Sequence, residues 1–450
     1  MKRKIYLLAI LCAVVFSAYS QFVAKPLNYQ VSGDFYLPKF FSIVDADHVW
    51  IGTMHYLSTG QPDIYSYAVH TNDGGDTWIF DSIPAPGQPN ISNVSAVDAN
   101  TCFYTFIDNW VNGSIWKTTD GGATWTQKTT TQFQGGFADF YHAFNAGEGV
   151  AVGDPNGGYF EIYRTTDGGD SWVRTDQSNI PSPLASEFGN TDGFSAIGNS
   201  IWFATNKGRC YKSTDQGQHW SVNDVTNGVS GTFNVAFSNQ LEGVFYDQAN
   251  FGATVTYFYR TSDGGSTWTI DSLPPGNFQP HVSAVNGLWG GFVVSAADPV
   301  IFITHVYFTP DFFSTIVMLD SNLMAYSGGL SFMDQETGWI CGLGNDTNDI
   351  MKFNGILTSV FNASKAPEKL SVMPNPSSTS ALVKIPASLD SKAFQLRIID
   401  MSGREVEHLA IASSTGWTKL NASGYSNGIY IIELLSANQL VARERWVVQH

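Results

Sequence analysis

The chain is poor in cysteine and in positive charge. Its 450 residues include 4 cysteines. Lys and Arg together number 23 against 39 Asp and Glu, which gives a net charge of −16, and beyond the first four residues there is no run of basic residues. Proteins that bind nucleic acid or an anionic membrane surface need clustered positive charge to contact phosphates. We therefore expect neither kind of partner.

The shortage of cysteine also excludes a disulfide framework. Cys12 lies in an apolar N-terminal segment, which leaves Cys102, Cys210 and Cys341 far apart in the sequence. Unpaired cysteines usually behave as small apolar side chains, so we predict three buried thiols. With 14% charged and 14% aromatic residues, the composition is typical of a β-rich, well-buried secreted protein whose stability comes from packed sheets.

The chain also lacks the common catalytic and metal-binding motifs. Its histidines show no HxH or HExxH spacing, and no P-loop, dinucleotide fingerprint or nucleophile elbow occurs. The segment GNDTNDI at 344–350 is rich in oxygen donors but lacks the ordered ligand pattern of a calcium loop. We predict no metal and no cofactor.

The first twenty residues are typical of a secretory signal peptide. They have a basic start, an apolar run over 5–16 and small residues at Ala18 and Ser20. The run is too short for a membrane-spanning helix, so the mature chain is expected to be exported without a membrane span.

A short polar segment recurs along the chain. Five clear copies read TNDGGDTW, TTDGGATW, TTDGGDSW, STDQGQHW and TSDGGSTW, and a sixth, TPDFFSTI, is degraded. Successive aspartates are 47 or 48 residues apart, and those of the clear copies are Asp73, Asp120, Asp167, Asp215 and Asp263. The tryptophans that end these copies are Trp78, Trp125, Trp172, Trp220 and Trp268. Such a period indicates one supersecondary unit that is repeated.

Each copy has the composition of a tight turn with a structural role. The Asp side chain can accept backbone N–H groups, Gly adopts positive φ at little cost, and the hydroxyl residue caps the local backbone. Three short strands precede the turn and the Trp opens a fourth, which predicts a four-stranded blade. We count seven units, the last at 331–355 with Lys352–Gly355 as a worn copy; six or eight units remain possible.

These segments resemble the Asp-box (BNR) repeats of sialidase-type propellers. The longer pattern, GVAVG followed by IYRTTDGGDSW, is similar to photosystem II assembly-factor-like propellers. The resemblance covers about residues 40–360 and implies an all-β, seven-bladed β-propeller over 21–360. It leaves the function open, because hydrolases, receptors and non-catalytic binders share the motif. A photosystem role would require a phototroph.

The periodicity stops at a polar linker, 361–369, and short strands separated by turn residues follow over 370–450. This pattern predicts a small C-terminal β-sandwich. Three turns, Pro374–Pro376, Asp400–Arg404 and Asn427–Tyr430, resemble the spaced motifs of the type A sorting domain of type IX secretion cargo in Bacteroidota. Met373 stands where the family usually has Tyr. The resemblance implies a type IX translocon as partner and export through the periplasm of a Gram-negative bacterium to the medium or outer surface.

Candidate catalytic residues are few. A sialidase needs three arginines that converge on a carboxylate. Arg164 and Arg260 occupy a repeat position that is Lys in other units, so they belong to the repeat pattern and the sequence does not support a sialidase site. Glycoside hydrolysis needs two carboxylates that face one cavity. Asp154 and Glu187 are candidates because both are predicted on the face opposite the repeated turns. They are weak candidates, because nothing else in the sequence links them and spacing alone does not give the distance between their carboxylates.

Aromatic residues near the same loops are candidates for ligand contact. They are Tyr56, Trp110, Tyr159, Phe188 and Tyr246. Each of them could instead fill the core between blades. We predict a secreted, non-catalytic propeller that binds a protein or glycan through its loop face; the alternative is a glycoside hydrolase that acts on extracellular glycans.

Overall fold

The structure is a computed structural model. It describes residues 21–27, 35–56, 66–85, 89–108, 112–247, 257–272, 279–288, 290–298, 303–314, 316–323, 326–343, 350–357, 368–385, 393–400, 405–412, 417–436 and 439–450. Apart from two single-turn 3₁₀ helices, Gln177–Asn179 and Ala422–Gly424, the regular structure of these residues is entirely β. The predicted all-β class is therefore confirmed. The predicted leader at 1–20 lies outside the described residues, as does most of the linker.

The described residues between 22 and 353 form seven four-stranded antiparallel sheets, with strands numbered in chain order. The first three sheets contain β2 (Phe35–Ile43), β3 (Val49–Tyr56), β4 (Ser66–Thr71) and β5 (Ile79–Ile83); β6 (Pro89–Ala96), β7 (Cys102–Asp108), β8 (Asn112–Thr118) and β9 (Thr126–Gln127); and β10 (Ala138–Ala143), β11 (Gly149–Pro155), β12 (Phe160–Thr165) and β13 (Val173–Arg174).

The next three sheets repeat this order of strands. They contain β14 (Gly189–Ile197), β15 (Ser200–Thr205), β16 (Arg209–Ser213) and β17 (Ser221–Asp224); β18 (Phe233–Phe237), β19 (Gly243–Asp247), β20 (Tyr257–Thr261) and β21 (Thr269–Ser272); and β22 (Gln279–Ala284), β23 (Phe292–Asp298), β24 (Ile303–Thr309) and β25 (Val317–Leu323). In the first five sheets the fourth strand begins at the residue after the box tryptophan, as the repeat predicts.

The seventh sheet joins the two ends of this region. It contains β26 (Tyr326–Phe332), β27 (Gly338–Leu343) and β28 (Ile350–Phe353), and its fourth strand is β1 (Phe22–Ala24) from the start of the described chain. Phe22 lies opposite Phe353 in the antiparallel ladder. The repeat pattern predicts the seventh unit within 331–355 and gives no sign of this N-terminal strand.

The first strands of the sheets hold neighbouring sheets together. Each contacts the first strand of the next sheet, and β26 contacts β2. At equivalent positions a serine hydroxyl accepts a backbone N–H from the next first strand, in the pairs Ser42 with Ala96 (2.8 Å), Ser95 with Ala143 (3.0 Å), Ser195 with Phe237 (3.1 Å) and Ser283 with Phe332 (2.8 Å). These bonds satisfy backbone groups that an isolated edge strand would leave unpaired.

Large aromatic side chains fill the space between sheets. Trp50 of β3 packs edge-on against Tyr104 of β7, with 6.5 Å between ring centroids, and both are buried. Cys102, Cys210 and Cys341 are also buried, on β7, β16 and β27 of three different sheets. The core therefore lies between the faces of adjacent sheets.

The C-terminal residues form two further sheets. One contains β29 (Glu368–Lys369), β36 (Gln439–Val448), β35 (Gly428–Ser436), β32 (Ala393–Asp400) and β33 (Glu405–Ala412). The other contains β30 (Ser371–Met373), β31 (Ser380–Lys384) and β34 (Trp417–Asn421). One cluster of buried side chains draws on both sheets, with Val383 and Leu420 from the smaller and Leu396, Ile432 and Trp446 from the larger.

Candidate functional site

The repeated turns form one hydrogen-bond pattern. In the first copy, Asp73 Oδ1 accepts from Thr71 Oγ1 at 2.9 Å and from the N–H of Thr77 at 2.8 Å, and Asp73 Oδ2 accepts from Thr77 Oγ1 at 2.6 Å. Thr71 Oγ1 in turn accepts the N–H of Gly75. The same set recurs at Asp167, where the bonds from Ser171 and Thr165 lower the carboxyl pKa to about 2. The carboxylates are thus occupied within their own turns.

The box tryptophans of the first three sheets each contact the preceding sheet. Trp78 donates from Nε1 to the carbonyl of Lys25, which follows β1 of the seventh sheet, and its ring lies 5.9 Å from Trp339. Trp172 in the third sheet donates to the carbonyl of Lys128, which follows β9 of the second. Trp125 packs edge-on against Trp50 of the first sheet, at 6.3 Å. These contacts hold adjacent sheets together.

The β11–β12 and β15–β16 turns lie at the opposite end of each sheet from the box, because successive antiparallel strands reverse direction. We call this end the loop face. Glu187, just before β14, is on this side and is fully buried. Arg209 donates to it from Nε (2.9 Å) and Nη2 (2.6 Å), Thr205 Oγ1 donates at 2.7 Å, and the N–H of Leu184 donates at 2.7 Å. Every acceptor position of this carboxylate is in use.

Asp154 lies near the end of β11 and is half-buried. Its Oδ1 accepts the N–H of Gly189 at 2.9 Å. Its electrostatic neighbour is Asp139 of β10, which is 1% exposed. Burial raises the pKa of Asp154 to about 6, and burial together with the Asp154 charge raises the pKa of Asp139. The structure therefore pairs Asp154 with a carboxylate that the sequence analysis did not select.

Glu161 of β12 is a second buried carboxylate that was not predicted from the sequence. Tyr163 donates its hydroxyl to Glu161 Oε1 at 2.8 Å. Next to this pair, the guanidinium carbon of Arg174 lies 4.1 Å from the centroid of the Tyr159 ring, and Arg174 Nη2 donates to the carbonyl of Asn156. Tyr159 is half-buried by this stack. A carboxylate on an alternating apolar strand gives no signal in the sequence.

The remaining aromatic candidates differ in exposure. Tyr246 is buried, and its hydroxyl accepts the N–H of Val282 at 3.2 Å. Phe188 is 50% exposed. Tyr56 is the last residue of β3, and Trp110 lies outside the described residues.

Hydrogen bonds hold the backbone of Phe188 in place, although its ring is exposed. Asn206 accepts its N–H through Oδ1 at 2.9 Å and donates its own N–H to the Phe188 carbonyl at 3.1 Å. The side-chain amide of Asn206 also donates to the carbonyl of Ser186, and the backbone carbonyl of Asn206 accepts the N–H of Gly231. Three loops that precede β14, join β15 to β16 and precede β18 are thereby tied together.

The loop that precedes β14 and the loop that precedes β18 both carry exposed apolar side chains. Leu184 is 50% exposed and Val229 is 57% exposed, and the Val229 carbonyl accepts from Thr226 Oγ1 at 2.8 Å. We call Leu184, Phe188 and Val229 the apolar loop patch. Sequence reasoning identified only Phe188, because isolated Leu and Val residues in loops carry no pattern.

A cavity of about 310 Å³ lies among the first strands of six sheets. Its wall includes neutral polar side chains such as Asn93, Ser195 and Asn234, together with Tyr246 and His281. Burial, with the nearby Lys39 charge, lowers the pKa of His281 to about 4, so the ring is neutral at pH 7. The wall offers hydrogen-bonding groups with little charge.

The described arginines do not converge. Arg174 stacks on Tyr159, Arg209 binds Glu187, and the guanidinium of Arg260 lies 5.4 Å from the ring centroid of Phe312. Within the described ranges, no three His, Cys, Asp or Glu side chains group as a metal site, and no helix is long and apolar enough to span a membrane. Residues 344–349 of the GNDTNDI segment, which we call the acidic loop, lie outside those ranges.

Family comparisons identify two regions. Residues 101–247 match the family "Photosynthesis system II assembly factor YCF48", and residues 371–449 match "Secretion system C-terminal sorting domain". No curated protein sequence matches the chain.

Solved structures with a similar fold include two of YCF48. One, bound to D1 peptide, is 16% identical with a TM-score of 0.53, and the match covers 76% of this chain and 98% of that one. The other, from Cyanidioschyzon merolae, is 15% identical with a TM-score of 0.51 and covers 74% and 98%. A GH74 enzyme from Niastella koreensis is 12% identical with a TM-score of 0.42, covering 92% and 84%.

The chain therefore carries a propeller region of the BNR type, similar to YCF48, and a C-terminal sorting domain of type IX secretion. The sorting domain implies secretion to the cell surface or the extracellular space and involvement of the secretion machinery.

Proposed function

We propose that this protein is a non-catalytic, secreted or surface-displayed binding protein that holds a protein partner at the apolar loop patch. The observation that carries the proposal is that the exposed ring of Phe188 stands on a backbone that hydrogen bonds hold in place. A large ring whose backbone is already ordered costs less conformational freedom on binding than one on an unordered loop, which favours it as an interface anchor. Flanking aliphatic side chains favour a protein partner over a glycan, since sugars are recognised by rings combined with polar groups.

The proposed scaffold is a seven-bladed propeller followed by a β-sandwich. The support is the closed series of contacts between first strands and the hydrophobic cluster that the two C-terminal sheets share. We assign 21–360 to the propeller, 361–369 to the linker and 370–450 to the sorting domain. Export would begin with the leader at 1–20 and pass through the periplasm of a Gram-negative bacterium to a type IX translocon.

A hydrolase with Asp154 and Glu187 is the second candidate. Its support is the raised pKa of Asp154, because a carboxyl group that stays protonated near neutral pH can act as a general acid. Glu187 fits a catalytic role poorly, since its oxygens already accept four hydrogen bonds. The similar fold of YCF48, whose structure was solved with a D1 peptide, agrees better with peptide binding.

The test is binding of the purified chain to arrays of surface proteins and glycans, followed by affinity measurement on each hit. Phe188→Ala and Leu184→Ser should weaken binding by roughly 1–3 kcal/mol if these side chains are anchors. Val173→Ser is the matched control, because Val173 is an equally exposed apolar residue (62%) on the outer strand β13.

Equal loss of affinity in Val173→Ser would contradict the loop-face assignment. Selective binding of glycans alone would replace the protein partner. Glycan cleavage that disappears in Asp154→Asn or Glu187→Gln, with the fold intact, would replace the binding function with the hydrolase.

A further inference from the structure

Asp139 is a buried carboxylate at a β-bulge. The β10–β11 register passes from Ala138 opposite Gly153 to Phe140 opposite Val152, which leaves Asp139 outside the regular pairing. The residue is 1% exposed, and within the described part of the chain neither carboxylate oxygen has a hydrogen-bond partner. Such a group is costly, because an ion taken out of water needs compensation.

Asp139 and Asp154 meet at Gly189. The N–H of Gly189 donates to Asp154 Oδ1, and a Cβ atom at Gly189 would lie only 2.3 Å from Asp139 Oδ2. A side chain at position 189 would therefore displace the carboxylate. Two acidic groups from the third sheet thus converge on the first residue of β14 in the fourth sheet.

No positive side chain offsets this charge. Among the described residues, no Lys, Arg or His forms an ion pair with either carboxylate, in contrast to Glu187 and its partner Arg209. Two adjacent carboxylates, one of them fully buried, are costly to keep ionised together without a counter-charge. The remaining sources of positive charge are a shared proton and a bound cation.

We propose that Asp139 and Asp154 bind a calcium ion between the third and fourth sheets. Both oxygens of Asp139 and Oδ2 of Asp154 are oxygen donors of the kind that Ca²⁺ prefers. Asp154 is half-buried, so water can reach the ion from its side and complete the shell of six to eight ligands that Ca²⁺ takes. Mg²⁺ fits less well, because it dehydrates reluctantly and requires a regular octahedron.

The ion would fix the start of β14. Gly189 directly follows Phe188, so the calcium ion would order the base of the segment that carries the exposed ring. This inference is independent of the proposed binding function, since it concerns only the ion and the stability of the chain.

The experiment uses the full chain after treatment with EDTA, at pH 7.5. Thermal unfolding and calorimetric titration are followed while CaCl₂ is added to about 10 mM, which spans the affinities of extracellular calcium modules. We expect the Tm to rise with calcium in a saturable way and to rise much less with MgCl₂. Asp139→Asn should lose the calcium response, and Asp170→Asn, an exposed aspartate of the third sheet, should keep it.

Asp154→Asn is the second variant, because its half-buried position makes a folding defect less severe. Loss of calcium binding in this variant, with a Tm in EDTA no lower than that of the wild type, supports the site. A wild-type Tm that calcium does not change would show that the pair holds a proton instead. Calcium binding that persists in both variants would place the ion elsewhere, for example in the acidic loop, and would also overturn the proposal.

Discussion

The two ends of the propeller sheets use aspartate in opposite ways. At the box end, Asp73 and Asp167 are exposed, yet each accepts three hydrogen bonds within its own turn, and the pKa of each is lowered to about 2. At the loop face, Asp139 is buried and Asp154 is half-buried, the N–H of Gly189 donates to Asp154 alone, and the pKa of each carboxyl is raised. Local donors favour the charged form in the first case, and burial disfavours it in the second.

This difference distinguishes carboxylates that stabilise a turn from carboxylates that are available to a ligand. A carboxylate whose oxygens are all bonded locally can fasten a turn but has nothing left for a ligand. A buried carboxylate that lacks hydrogen-bond donors is costly in its charged form. Binding of a proton or a cation removes that cost. Glu187 lies between these cases, because it is buried on the loop face but fully neutralised by Arg209.

The largest effect is expected from removing that neutralising partner. Arg209→Met leaves the fully buried Glu187 carboxylate without its cation, which should destabilise the fold by about 3–5 kcal/mol. Urea denaturation measures the change. The double variant Arg209→Met/Glu187→Gln removes both charges and should recover part of the loss. A double variant no more stable than the single one would show that packing of the arginine, rather than charge, is the main contribution.

The next effect is a pH dependence that comes from the loop-face pair. In EDTA, the folded protein holds protons on Asp139 and Asp154 more tightly than the unfolded chain, where the ordinary pKa is 3.8. Stability should therefore fall as the pH rises from about 4 through the Asp154 pKa of about 6. Asp139→Asn should flatten this decline. An unchanged decline in the variant would mean that other groups cause it.

The box carboxylates should give the opposite and smaller dependence. The Asp167 pKa of about 2 lies below the ordinary 3.8, so its contribution is present above pH 4 and is lost as the pH falls toward 2. Asp167→Asn should lower the Tm at pH 7 by a few degrees and reduce the further drop on acidification. Asp170→Asn is the control, because Asp170 is exposed in the same turn and its carboxylate pairs with Lys128 of the second sheet, so this variant removes only an exposed ion pair. A pH profile identical to that of the wild type would contradict the fastening role.

The repeat was readable from sequence because its signals are local. The Asp, Gly and Trp of each box lie within eight residues, and they locate both the turn and the fourth strand that follows it. Strand β1 was missed because Phe22–Ala24 is short and pairs with Phe353 at the far end of the region. Long-range pairing of this kind leaves no local pattern.

The loop-face site was only partly readable for the same reason. Asp154 and Glu187 were selected from their loop positions, but their partners depend on register and on distant strands. Asp139 sits in the apolar run ADFYHA, and only the bulge at this residue leaves it outside the regular pairing. The Arg209 partner of Glu187 is 22 residues away on another strand.

The smallest effect on stability, and the sharpest on binding, is expected at Phe188. Its ring is half exposed, while its backbone is held by Asn206, so Phe188→Ala removes little packing and should change the unfolding free energy by no more than about 0.5 kcal/mol. Tyr159→Ala is the contrasting variant, because Tyr159 is half-buried under Arg174 and its loss should destabilise the fold measurably. Thermal unfolding and partner affinity are compared for both. If Phe188→Ala destabilised the fold as much as Tyr159→Ala, the ring would be part of the core, and the proposed anchor on the loop face would be lost.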